Sequence, residues 1–148
     1  MTRKAKAILI GVGLICFSLS LYLARYPTDL ADPRMRKFTD LFEMHSEAVY
    51  QLADGRTTEK PSKATLIVQC DSVIALSDEI LKLRQSKEVP QFYPIIKGIA
   101  ESSKNMAIAF KGYLQTGETR DWRDMINYER EADNWLTQFI EECEQITP

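Results

Sequence analysis

The feature that most limits what this chain can become is the run Ala7 to Ala24, AILIGVGLICFSLSLYLA, eighteen residues without a charge, bracketed by Lys6 and Arg25. As a helix it reaches roughly 27 Å, enough to cross a hydrocarbon core of about 30 Å. A helix is the one conformation in which such a segment satisfies its own backbone in lipid. The reading is therefore a basic cytosolic start at 1–6, a transmembrane signal-anchor helix at 7–24, a linker at 25–31 and a polar domain at 32–148. The alternative is a signal peptide cut near Ser20, releasing a secreted form. The apolar run continues through Leu21, Tyr22 and Leu23, which suits an anchor better. Ile15 directly before Cys16 does not suit lipidation.

Orientation follows from flanking cations. Arg3, Lys4 and Lys6 precede the run; Arg25, Arg34, Arg36 and Lys37 follow it. The counts nearly balance, but the first group lies tight against the run. This places the N-terminus in the cytosol and the domain on the extracytoplasmic side. Without Arg3, Lys4 and Lys6 the 19 Lys and Arg of the 148-residue chain become 16, against 21 Asp and Glu, a balance of −5. No nucleic-acid partner fits that charge. The expected partners are membrane lipid along 7–24 and a protein, either another chain or a second copy.

Beyond the anchor, apolar residues recur at helical spacing in four stretches. Asp32-Pro33 reads as a helix start, followed by Met35, Phe38, Phe42, Val49 and Leu52, with a stop at Asp54-Gly55. Ser62 caps a second stretch carrying Leu66, Ile67, Cys70, Val73, Ile74, Ile80 and Leu81. Lys82, Arg84 and Lys87 follow near its expected C-terminal end. The third has the cleanest stripe, Phe92, Ile96, Ile99, Ser103, Met106, Phe110 and Tyr113, alternating by four and three as the seam of a bundle does. The fourth carries Trp122, Met125, Ile126, Ala132, Leu136, Phe139, Ile140, Cys143 and Ile146. The predicted helices are 32–54, 62–87, 90–115 and 119–146. Short connections force antiparallel neighbours, and no stretch alternates with a period of two. The fold class is thus all-α: an N-terminal transmembrane helix followed by an up-down-up-down antiparallel four-helix bundle.

The corner Tyr113-Leu114-Gln115-Thr116-Gly117-Glu118, with Trp122 beyond it, resembles the YLxTGD-type turn of extracytoplasmic four-helix-bundle sensor domains in bacterial chemoreceptors and kinases. The resemblance implies a bundle and a ligand-sensing role. Those receptors usually carry a second membrane helix leading to a signalling module; none follows helix four here, so sensing would need a partner to carry the signal.

Residues with chemistry are sparse. His45 is the single histidine and lies between Phe42 and Val49 on the first stripe. It reads as a core residue bonded to a neighbour, with a metal, haem or pH-sensitive role as the competing reading. A di-iron bundle needs Glu-x-x-His on two helices, and a structural zinc site about four clustered ligands; neither set is present. The expectation is no cofactor and no metal. There is no Gly-x-Ser-x-Gly elbow and no phosphate loop, so the chain is expected not to be an enzyme. Glu129, Glu131 and Asp133 read as a solvated face. Trp122, Tyr128 and Trp135 are candidate partner contacts, or residues that widen the core face. Arg34, Arg36 and Lys37 are expected to face Glu141, Glu142 and Glu144 across the outer helices. Cys70 and Cys143 lie too far apart along the bundle for an intrachain disulfide. The leading reading is a membrane-anchored, non-enzymatic interaction or structural module. The alternative is a small-ligand sensor, and the third is a metal or haem bundle using His45.

Overall fold

The computed structural model describes residues 33–58, 61–83 and 92–146. The expected membrane helix 7–24, its basic start and the linker 25–31 lie outside them, as does Asp32. Among the described residues there are four helices and no strand: α1 Pro33–Thr58, α2 Lys63–Leu81, α3 Phe92–Thr116 and α4 Thr119–Ile146. None of these is long and apolar enough to cross a membrane.

The helices form a four-helix bundle with antiparallel neighbours. Lys104 reaches Asp78 and Lys111 reaches Asp71, each at 2.6 Å, which sets α3 antiparallel to α2. Phe42 meets Phe139 with ring centroids 5.7 Å apart, and Arg56 meets Glu129, which closes α1 onto α4. The predicted Arg34, Arg36 and Lys37 pairing lies outside the described side chains.

α3 is buried along more than one stripe. Ile96, Ile99, Ser103, Met106 and Phe110 are buried as the seam requires, and so are Ile95, Ala100, Ser102 and Ala107. A helix that packs against both α2 and α4 needs this wider face. On α4, Met125 and Phe139 are buried, whereas Ile126, expected on the apolar face, is exposed.

Helix ends differ from the sequence reading in two places. α1 does not stop at Asp54-Gly55 but continues one turn to Thr58. Thr57 and Thr58 donate their hydroxyls to the carbonyls of Ala53 and Asp54, which sustains the last turn. Gly55 is a packing residue there: a Cβ would meet Gln69 Oε1 at 2.9 Å and Leu66 and Pro61 at 3.1 Å. α2 begins as expected, with Ser62 Oγ accepting from the Thr65 N–H at 3.2 Å, but ends at Leu81 instead of 87. Leu83 N–H turns back to the Ile80 carbonyl, and the Tyr93 hydroxyl donates to the Leu83 carbonyl at 3.0 Å. Of the expected C-terminal cations, Lys82 is the C-cap, and Arg84 and Lys87 lie outside the described residues. Pro94 sits in the first turn of α3, where a missing N–H removes no helical bond.

The α3–α4 corner is fully bonded. Gly117 has φ +74° and donates its N–H to the Tyr113 carbonyl at 2.8 Å. Thr116 Oγ1 donates to the Gly112 carbonyl and accepts from the Glu118 N–H, and the Glu118 carbonyl accepts from Asp121. Trp122 folds back onto Tyr113, centroids 5.0 Å apart. Further along, Gly98 lets α3 and α4 approach: a Cβ would lie 2.3 Å from the Trp135 indole.

These two glycines make a graded prediction. Gly117→Ala is strained in its backbone but meets empty space, so it costs about 1 kcal/mol. Gly98→Ala forces the Trp135 indole out of its seat and costs about 2 to 3 kcal/mol. Urea unfolding followed by circular dichroism should rank them in that order; equal losses would contradict the close approach at Gly98.

Candidate functional site: a cleft between the first and last helices

The core falls into two apolar clusters. One gathers Phe42, Ile80, Ile95, Ile96, Ile99, Ala100 and Phe139. The other gathers Ala48, Leu52, Cys70, Val73, Met106, Ala107, Phe110 and Met125. Between them in chain order lie His45 on α1, Ser77 on α2 and Ser102 and Ser103 on α3, all buried. A polar layer therefore crosses the middle of the bundle.

His45 is 1 % exposed, and its Nε2 lies 3.0 Å from Ser77 Oγ. Burial holds the imidazole pKa down at about 4, so the ring is neutral at physiological pH. Ser77 is wholly buried. The pair has the atoms of a Ser–His dyad, with the hydroxyl sealed from solvent and the imidazole pKa lowered by burial.

Beside this layer the α1–α4 seam is open. A cleft of about 80 Å³ lies between Phe42, His45, Val49, Leu52 and Ala53 on α1, Ile99, Ser103, Met106 and Phe110 on α3, and Met125, Ala132 and Leu136 on α4. Its origin is side-chain size: Ala53, Ala132, Ser46 and Ser103 are short where the helices face each other. The Phe42–Phe139 ring pair pins one end. At the other, Arg56 Nη2 donates to Glu129 at 2.5 Å and Nη1 to Met125 Sδ at 3.3 Å. Both partners of that ion pair are largely shielded, so it is worth more than an exposed pair. Glu129, read from sequence as part of a solvated face, is in fact a structural contact. Arg56, read as loop, is helical and reaches across the seam.

Of the sequence candidates, the structure brings His45 to the cleft. Trp122, Tyr128 and Trp135 are half-buried and do not line it. Trp122 packs on Phe110 and Tyr113, Tyr128 against the second cluster, and Trp135 against Gly98 and the first. Sequence reasoning missed Arg56 and Ser77. Cys70 is a buried free thiol, pushed up to about 11 by burial and by neighbouring Asp71; the side chain of Cys143 lies outside those described. Among the described residues no three His, Cys, Asp or Glu side chains gather as a metal site.

No known protein family matches the chain, and no characterised protein or solved structure was found to be similar to it. The site stands on its own geometry.

His45 ties stability to pH. Above pH 6.5 the ring is neutral in both the folded and unfolded states and contributes no pH dependence. Between 6.5 and about 4 the unfolded chain takes up a proton that the folded chain excludes. Folding stability should then fall by about 1.4 kcal/mol per pH unit, or about 3 kcal/mol across that window. Urea titrations of the natural chain and His45→Gln at several pH values isolate this term. The gap between the two should narrow on acidification through that window; a constant gap would show that the folded ring takes up its proton as readily as the unfolded one.

Proposed function

We propose that this chain is a non-enzymatic binding module. Its helical bundle is held to a membrane by residues 7–24, stands on the extracytoplasmic side, and takes a small ligand or a partner's side chain into the α1–α4 cleft. The observation that carries this reading is the cleft itself, kept open by short side chains between two pinned ends. Concave, mostly apolar sites with a few polar groups are where ligands bind. Catalysis has little to draw on, because the polar groups near the cleft are engaged with each other: His45 with Ser77, and Arg56 with Glu129. The tether rests on the uncharged run alone.

Ligand sensing is the second reading. It is favoured by the turn at Tyr113–Glu118 and by the fact that α1, one wall of the cleft, follows the anchor in the chain. An occupant bridging α1 and α4 stabilises one placement of α1, which a partner can read.

Thermal melting of the full chain against amino acids, carboxylates, alcohols and short peptides tests the module. A binder raises the melting temperature by mass action. The expected result is at least one compound that stabilises the natural chain and not Ala132→Leu, in which the cleft is filled. No stabilisation by any compound, or equal stabilisation of both chains, would count against the cleft as the site. Recovery of the intact chain, original N-terminus included, in a salt-washed aqueous fraction would count against the tether.

A further inference from the structure

Resting on that reading of the cleft, we propose that its occupant is a small uncharged aliphatic group of about three or four carbons, and that the site rejects anions. Size sets the first limit. A cleft of about 80 Å³ is roughly half the volume that accommodates benzene in an engineered protein cavity. A short alkyl chain fits without movement of the walls; an aromatic ring or a macrocycle does not.

Charge sets the second limit. Most of the wall is Val, Leu, Ile, Met, Phe and Ala, which offer dispersion contacts. His45 is neutral and bonded to Ser77. Among the described residues the one cation at the rim, Arg56, is held by Glu129 and by the Met125 sulfur. Glu129 and Asp133 bring carboxylates to the lining. A carboxylate, phosphate or ammonium entering here would give up its hydration to a mostly apolar lining, with the guanidinium and the Glu129 carboxylate already engaged with each other. A neutral alkyl group loses nothing of that kind. It gains by leaving water, which tightens binding by about fourfold for each methylene buried.

The cleft also carries its own reporters. Met106 and Met125 line it, whereas Met44 is on α1 but 56 % exposed. In the full chain in lipid nanodiscs with methyl-labelled methionine, a series of linear alcohols from ethanol to octanol should shift the Met106 and Met125 signals saturably and leave Met44 in place. Half-saturation should improve about fourfold per carbon up to butanol and then level off. Butyrate, the anionic match, should produce no shift at concentrations where butanol saturates. Ala132→Leu and Ala53→Leu, on opposite walls, should each abolish the response; having two variants guards against one failing to fold, which far-UV circular dichroism checks. Butyrate or butylammonium acting as strongly as butanol would overturn the uncharged assignment and leave the cleft standing as a site. Affinity that climbs steadily through octanol, or Met44 moving with the others, would overturn the size limit and assign the effect to the bilayer or to general partitioning. No response at Met106 or Met125 to any of these compounds would overturn both this inference and the cleft as the binding site.

Discussion

The hydrogen bond between His45 and Ser77 sets the level at which α1 lies on the rest of the bundle. Both groups are buried, and each would be costly to leave unmatched. An apolar stripe alone tolerates sliding by a turn, because leucine, valine and phenylalanine pack acceptably at several heights. A single buried polar pair does not, since a slip of one turn strands an imidazole and a hydroxyl in hydrocarbon. Held at this level, α1 delivers Phe42 to Phe139 and Arg56 to Glu129. The two contacts that close the bundle follow from the one that registers it.

The same layer explains why closure is incomplete. α2, α3 and α4 are joined tightly, by Lys–Asp pairs on one side of α3 and by the Gly98–Trp135 approach on the other. α1 meets α4 through Phe42–Phe139 and Arg56–Glu129, and between these contacts Ser46, Ala53, Ser103 and Ala132 leave a gap. Larger side chains there would add packing enthalpy and apolar burial. A bundle that gives up that stabilisation at mid-height, and retains a neutral histidine beside it, is built differently from one that serves as a spacer alone. This contrast is what supports the proposed binding role.

Much of the architecture could be read from the residues. The alternation of four and three from Ile96 to Tyr113 specified a helix with a continuous seam, and Gly117 marked the corner that its positive φ requires. Ser62 announced a cap that it makes. Gly55 misled because glycine beside aspartate looks like a helix stop, whereas here its missing side chain admits Gln69 and Leu66 from α2. That misreading placed Arg56 in a loop and hid its ion pair. Glu129 looked solvated because Glu131 and Asp133 close by on α4 make an acidic group with it; no local signal reports that a cation arrives from another helix. Ser77 was invisible for a similar reason, since a serine in a helix acquires meaning only when the histidine beside it is known. The cleft itself is a difference between side-chain sizes on separate helices, and a single stripe cannot display it. Ala132 and Ser103, both on their stripes, were its nearest trace.

The account turns on an apolar gap between α1 and α4 that the protein's own side chains leave open. Crystals of the chain equilibrated with xenon under pressure test this most directly, because xenon settles in small apolar voids. The account predicts a xenon peak bounded by Val49, Met106 and Ala132, with the Phe42–Phe139 and Arg56–Glu129 contacts unchanged on either side. A seam filled by Met125 or Leu136 turned inward, or occupied by ordered water with no xenon, would contradict it.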